Sequence, residues 1–186
     1  MASTTLRRAN LLEINQLVTL INAAFRVEDF CVMGDRTSFE DIHARFQSGT
    51  FFVLEDAAAH GVLVGTVFTS ITGTRAYLGL LSVDPAVQGR GSSKVLIDAV
   101  EQNALAAGCD FLDITVVNVR ENLFGYYEKL GFTPYGVVPF PVPEKARMPL
   151  HDQAVAPRMA DRRARSKQRL ERFLNRLAQP FEHFNA

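Results

Sequence analysis

In the run Val83-Asp84-Pro85-Ala86-Val87-Gln88-Gly89-Arg90-Gly91-Ser92-Ser93-Lys94, a strand hands over to a helix. Residues 76–83 have the aliphatic and aromatic composition of a strand, and Asp-Pro turns the chain. Two glycines then lead into residues 92–107. There Val95, Leu96, Ala99, Val100, Ala104 and Ala107 recur at helical spacing, and Gly108 stops the helix. Glycine lets a backbone approach a ligand closely, and a helix start offers unpaired N–H groups with partial positive charge. Together they make an anion site, worth about 0.3–1 kcal/mol from the dipole alone. Arg90 and Lys94 add charge. A tight turn without a ligand fits the glycines equally well. The phosphate-loop pattern G-x-x-x-x-G-K-[ST] is not met, and Lys94 stands where G-x-G-x-x-G needs its third glycine.

Outward from this turn the chain alternates between the two regular periods. Thr4–Arg8 reads as a first strand. Asn10 opens a helix, with Glu13 three residues on to answer the cap, and Leu11, Ile14, Leu17, Val18, Ile21 and Phe25 share one face. A polar loop runs from Arg26 to Arg36. Thr37-Ser38-Phe39-Glu40 caps a second helix that ends at Gly49. Residues 50–55, 62–72 and 76–83, punctuated by Gly61 and Gly73, predict an antiparallel meander. Residues 111–117 read as a strand, 122–130 as a short helix ended by Gly131, and 133–138 and 150–156 as two more strands around a proline-rich loop. This order predicts a mixed α/β domain over residues 1–156.

The chain has 186 residues, 20 Lys+Arg and 20 Asp+Glu, so its formal charge is zero. That argues against a body that grips nucleic acid as a whole. At 47% hydrophobic and 22% charged it reads as one globular domain. No apolar run approaches the roughly 20 residues of a membrane span, and the N-terminal residues lack the apolar stretch of a secretory signal. Cys31 and Cys109 form no metal-ligand cluster, and two reduced thiols in a cytoplasmic protein is the plain reading. The zero is uneven: residues 157–186 hold eight Lys/Arg against three Asp/Glu, and the body carries the opposite excess. Residues 158–179 read as a basic amphipathic helix, with Leu170, Phe173, Leu174 and Leu177 on one side, forming a C-terminal tail.

Gln88-Gly89-Arg90-Gly91-Ser92-Ser93 resembles the Q/R-x-x-G-x-G/A signature of the GNAT superfamily of N-acetyltransferases, departing at Ser93. Asn122-Leu123-Phe124-Gly125-Tyr126-Tyr127-Glu128-Lys129-Leu130-Gly131-Phe132 resembles that family's second signature, a helix ending in Tyr-Glu-Lys-Leu-Gly-Phe. The resemblance covers residues 4–156. It implies a mostly antiparallel central sheet flanked by helices, with acetyl-CoA as cosubstrate and no metal. It implies that the glycine turn holds the pyrophosphate and that the preceding strand bonds the pantetheine arm. The implied cofactor residues are Leu81, Ser82, Val83, Gln88, Gly89, Arg90, Gly91, Ser92, Ser93, Leu123 and Phe124. Family members often carry Asn seven positions before the signature Tyr; here Arg120 stands there, and Asn118 is two residues out of register.

N-acetylation joins an amine to a thioester. An amine of pKa about 10.4 must first lose its proton, and a thiol of pKa about 8.5 leaves readily. By resemblance Tyr127 is the candidate that hydrogen-bonds the departing sulfur; the other reading of Tyr126 and Tyr127 is plain packing. Glu28, in the loop between the first helices, is the candidate base. Arg26 and Arg36, with Glu28, are candidates for binding the acceptor, the arginines holding a carboxylate or phosphate on it. The competing reading of this loop is surface ion pairs of little worth. His43, His60, His151 and His183 are scattered, and His151 is the second-choice base. The expected activity is acetyl transfer to a small-molecule amine through a ternary complex. The alternatives are a protein or peptide acceptor, a CoA-binding module without chemistry, and an interaction module built on the tail. The tail either docks on its own body or on a second copy of the chain, or meets acidic partners.

Overall fold

A computed structural model of the protein describes residues 4–156. The expected tail helix and the expected dimer contact through it lie outside the described residues. Seven strands form one sheet: β1 (Thr4–Arg8), β2 (Thr50–Asp56), β3 (Leu63–Thr72), β4 (Arg75–Val83), β5 (Phe111–Val117), β6 (Thr133–Pro139) and β7 (His151–Ala156). Their spatial order is β1-β2-β3-β4-β5-β7-β6. The helices are α1 (Ile14–Phe25), α2 (Phe39–Ser48), α3 (Ser92–Ala106) and α4 (Glu121–Lys129). The element order and the mostly antiparallel sheet are those expected from the sequence.

Two apolar clusters cover the two faces of the sheet. Ile14, Leu17, Leu20 and Ile21 of α1 and Ile42 of α2 pack with Phe51, Val53, Phe68 and Leu80 on one face. Leu96, Ile97, Val100 and Ala104 of α3 pack with Leu54, Val67, Leu78, Ile114 and Val116 on the other, where α4 adds Leu123, Phe124, Tyr126 and Tyr127. The entry to α1 follows the sequence: Asn10 Oδ1 accepts from the Leu12 N–H, and Glu13 takes the Asn10 N–H. Arg7 clamps Glu13 at 2.6 Å and Glu55 at 2.7 Å, tying β1, β2 and this entry together.

Three details differ from expectation. Leu11 is exposed and Leu20 is buried, because residues 11–13 form a separate tight turn out of phase with α1. In α3, Val95 and Ala107 are exposed and Ile97 is buried, a rotation of the stripe by part of a turn. The cap of α2 is Ser38, which accepts from the Asp41 N–H, while the Thr37 hydroxyl donates to Asp41 at 2.6 Å.

The decisive feature is the middle of the sheet. β4 and β5 are parallel, and they pair only through Arg75–Phe111, Ala76–Leu112 and Tyr77–Asp113. Beyond Tyr77 they part. On its other side β4 carries a bulge: Thr66 faces Ser82, but Phe68 faces Gly79. The extra residue includes Leu80 at φ 50°, the one non-glycine residue with positive φ among those described. A bulged, left-handed residue costs about 1–3 kcal/mol and bends its strand.

Gly49, between α2 and β2, is a packing requirement. A Cβ there would lie 2.3 Å from the Thr69 carbonyl oxygen and 2.7 Å from the Phe68 ring. Gly49→Ala is expected to destabilise the protein by about 3 kcal/mol, the upper end of overpacking, which lowers Tm by roughly 6–12 °C. A thermal melt checks this.

Candidate functional site

The parted strands open a cleft of about 640 Å³ that passes through the sheet. Ser92, Ser93 and Lys94 line it on the α3 side, and Ala24, Phe25 and Glu28 line it on the α1 side. Between them run the residues of β4 from Tyr77 to Leu81 with Val83, and the residues of β5 from Ile114 to Val117.

At the α3 side the glycine turn is built for close approach. Gly89 and Gly91 have φ 77° and 85°, which disfavours any side chain, and nothing lies within 4 Å of a Cβ placed on either. Gly91 caps α3 with no side-chain hydrogen bond, so the first N–H groups of the helix are not answered by a capping side chain. Gln88 turns its amide back to the Val83 carbonyl at 3.1 Å, fixing the turn to the end of β4. Ser93 and Tyr126 hydroxyls lie 3.0 Å apart, joining α3 to α4 across the cleft.

Tyr127 sits where the two sides meet. Its ring is edge-on to Tyr126 at 5.2 Å and to Phe132 at 5.5 Å. Burial pushes its phenol up to about 12, with Tyr126, Tyr77 and Glu28 adding to the rise and Arg120 opposing it. Tyr77 and Glu28 line the same cleft.

On the α1 side four charged residues converge on the cleft: Glu28, Arg36, Arg120 and Asp152. Glu28 is 8% exposed and accepts from Arg120 at 3.2 Å. Burial pushes the Glu28 carboxyl up; Arg36 and Arg120 pull it down, and Asp152 raises it again. Asp152 is equally buried, and burial pushes its carboxyl up against the influence of Arg36, Thr115 and His151. Arg36 lays its guanidinium over the Phe25 ring at 4.7 Å.

The structure brings most of the expected residues to one place. Tyr127, Glu28, Arg36, Leu81, Val83, Gln88, Gly89, Gly91, Ser92, Ser93 and Leu123 all line the cleft. Ser82 is buried, its hydroxyl donating to the Leu80 carbonyl. Arg90 lines a separate small pocket beside Thr4 and Asp56. Phe124 packs against the α3-side core. Arg26 is mostly exposed, 3.9 Å from Asp29, and lines a neighbouring pocket of about 270 Å³.

His151 is exposed at the start of β7, and His43 stacks on Phe39 at the surface. Asn118 accepts from the His151 N–H. Sequence reasoning missed Asp152. It faces Val117 in the β5–β7 register, on the face of β5 that carries Thr115 and opposite the face of Ile114 and Val116. That register was the signal, and it required knowing that β7 lies beside β5.

Residues 14–132 match the acetyltransferase (GNAT) family. An acetyltransferase of Yersinia pestis (strain Pestoides F) is 36% identical over 76 residues, which cover 41% of this chain and 54% of that one. The chain thus spans about half the length of the curated relatives it matches. Among solved structures, the ribosomal-protein-S18-alanine N-acetyltransferase of Escherichia coli superposes with TM-score 0.66 at 16% identity, covering 84% of this chain and 94% of that one. An N-acetyltransferase of Staphylococcus aureus Mu50 superposes with TM-score 0.67 at 15% identity, covering 85% and 99%. At these identities the two structures speak to the fold alone.

The Glu28–Arg120 pair has a measurable consequence. Arg120→Ala leaves a buried carboxylate without its partner, which costs about 3 kcal/mol when the carboxylate is ionised. Without Arg120 the Glu28 carboxyl rises further above its unfolded value. A raised carboxyl contributes no penalty below the unfolded value and the full penalty above the folded one. Urea unfolding should therefore show the full loss near pH 8 and a smaller loss as the pH falls toward 5.

Proposed function

The chain belongs to the acetyltransferase (GNAT) family, and on that premise we propose that it transfers the acetyl group of acetyl-CoA to a primary amine of a small molecule, with both substrates bound together. The observation that carries this reading is the parting of β4 from β5 beyond Tyr77, beside a glycine turn that opens a helix. The turn fits a pyrophosphate: both glycines leave open space, and the leading N–H groups of α3 have no side-chain cap. Lys94 lines this side of the cleft as well, its ammonium paired with Asp98 at 2.7 Å. Acetyl-CoA supplies an acetyl group activated as a thioester. Leu81 and Val83 offer it the cleft-facing edge of β4, which pairs with no strand beyond Tyr77 among the described residues.

The acceptor enters from the α1 side, where Glu28 and Asp152 are buried carboxylates that attract an ammonium and take its proton. Glu28 is held by Arg120. Tyr127 donates a hydrogen bond to the thiolate as it leaves. A phenol near 12 holds its proton against a thiolate of pKa about 8.5, so Tyr127 stabilises charge rather than surrendering a proton outright. The cleft walls of Phe25 and Phe140 and the modest neighbouring pocket favour a compact acceptor over a long peptide.

Saturating acetyl-CoA at 100 times Kd is expected to stabilise the protein by about 2.7 kcal/mol, a rise in Tm of roughly 5–11 °C. No shift contradicts the cosubstrate assignment. Tyr127→Phe is expected to lower kcat about 100-fold with little change in the acetyl-CoA-induced shift, because the ring contacts to Tyr126 and Phe132 remain. Thiol release across amino acids, polyamines, aminoglycosides and peptides identifies the acceptor; turnover confined to peptides contradicts a small-molecule acceptor.

A further inference from the structure

We propose that the acceptor is an aminocarboxylate, whose ammonium faces Asp152 and whose carboxylate is gripped by Arg36. This rests on the acetyl-transfer reading above and names the chemical class that reading leaves open. Of the four charged residues on the α1 side of the cleft, two answer each other: Arg120 donates to Glu28 at 3.2 Å. Arg36 and Asp152 remain. Among the described residues neither takes part in an ion-pair contact, although Arg36 lies within electrostatic reach of both Asp152 and Glu28. They line the same cleft with opposite charges that do not touch.

Each of the two is fixed in place. Asp152 is 8% exposed and held on β7 opposite Val117. Arg36 is half-buried, with its guanidinium carbon 4.7 Å from the centre of the Phe25 ring. A guanidinium resting on a ring can still offer N–H donors to a planar anion, and its fork of donors favours a two-toothed grip on a carboxylate. Among the described residues the Arg36 side chain donates no hydrogen bond to the protein.

Arg36 also lines the neighbouring pocket, whose wall includes Asn22 and Arg147. The cleft and that pocket share Phe25, Glu28 and Arg36, so a ligand carboxylate at Arg36 has room on its far side. A simple amine would satisfy Asp152 and leave the Arg36 guanidinium without an acceptor in contact. A zwitterion answers both, and it removes the cost of an ionised, buried carboxylate with no counter-charge in contact.

The test compares acetylation of paired acceptors that differ only by a carboxylate: L-phenylalanine with phenethylamine, L-histidine with histamine, and β-alanine with ethylamine. Thiol release at saturating acetyl-CoA gives kcat and KM for the wild type, Arg36→Gln, Arg36→Lys and Asp152→Asn. The wild type should prefer the aminocarboxylate of at least one pair by roughly 10- to 100-fold in kcat/KM. Arg36→Gln should lower kcat/KM for the aminocarboxylate far more than for the plain amine, erasing the preference mainly through KM, and Arg36→Lys should restore part of it. Asp152→Asn should weaken both members of the pair. An unchanged acetyl-CoA-induced melting shift shows that each variant is folded. No turnover of any aminocarboxylate, equal turnover of both members, or a preference that survives Arg36→Gln overturns the proposal. Absence of an acetyl-CoA shift in the wild type overturns the acetyl-transfer reading instead.

Discussion

Two parallel strands that pair for three residues and then separate dictate most of what this molecule can do. β4 and β5 share Arg75–Phe111 through Tyr77–Asp113, and from Leu78 onward the edge of β4 pairs with no strand across the gap. Buried backbone polar groups need partners, so such a gap asks for a ligand that brings its own donors and acceptors. The bulge at Leu80 bends β4 at the start of this gap. Strain of that kind persists only where surrounding packing overrides it. Here the α1-side core holds Leu80, which is 8% exposed, and the α3-side core holds Leu78.

The cleft that results has two differently charged sides. On the α3 side lie the uncapped start of α3 and two glycines with open space above them, the features that suit the proposed anion seat. On the α1 side, two carboxylates and two arginines nearly cancel, yet only one pair of them touches. Tyr127 stands between, with its proton held firmly by burial. The family's usual Asn is replaced by Arg120, and the structure gives this change a partner: Arg120 anchors Glu28. The substitution and the carboxylate are best regarded as one unit.

Much of this was legible in the sequence because it depends on local chemistry. The glycine turn, the Asn10 cap, the meander and the α4 signature are all set by neighbours within a few residues. Of the residues the family resemblance singled out, Leu81, Val83, Gln88, Gly89, Gly91, Ser92, Ser93, Leu123, Tyr127, Glu28 and Arg36 line one cleft, whereas Ser82, Arg90, Phe124 and Arg26 do not. The misses share a different cause. Leu11 and Val95 fell out of phase because a tight turn or a small rotation moved a helix stripe. Asp152 was passed over for His151 because which neighbour of a strand faces inward is settled by pairing with β5, some 35 residues away in sequence. Arg90, next to the glycines in sequence, lines a small pocket with Thr4 and Asp56 rather than the cleft. Short-range pattern recovers the α3 side of the cleft, while long-range register builds the α1 side.

The central claim is that acetyl-CoA occupies the gap between β4 and β5 and rests on the turn before α3. Backbone amide hydrogen exchange, resolved by residue with and without acetyl-CoA, measures this directly. The account predicts slowed exchange concentrated at residues 78–83 and 89–93, with little change in β1 or α2. Protection elsewhere, or uniform protection without this focus, would contradict it.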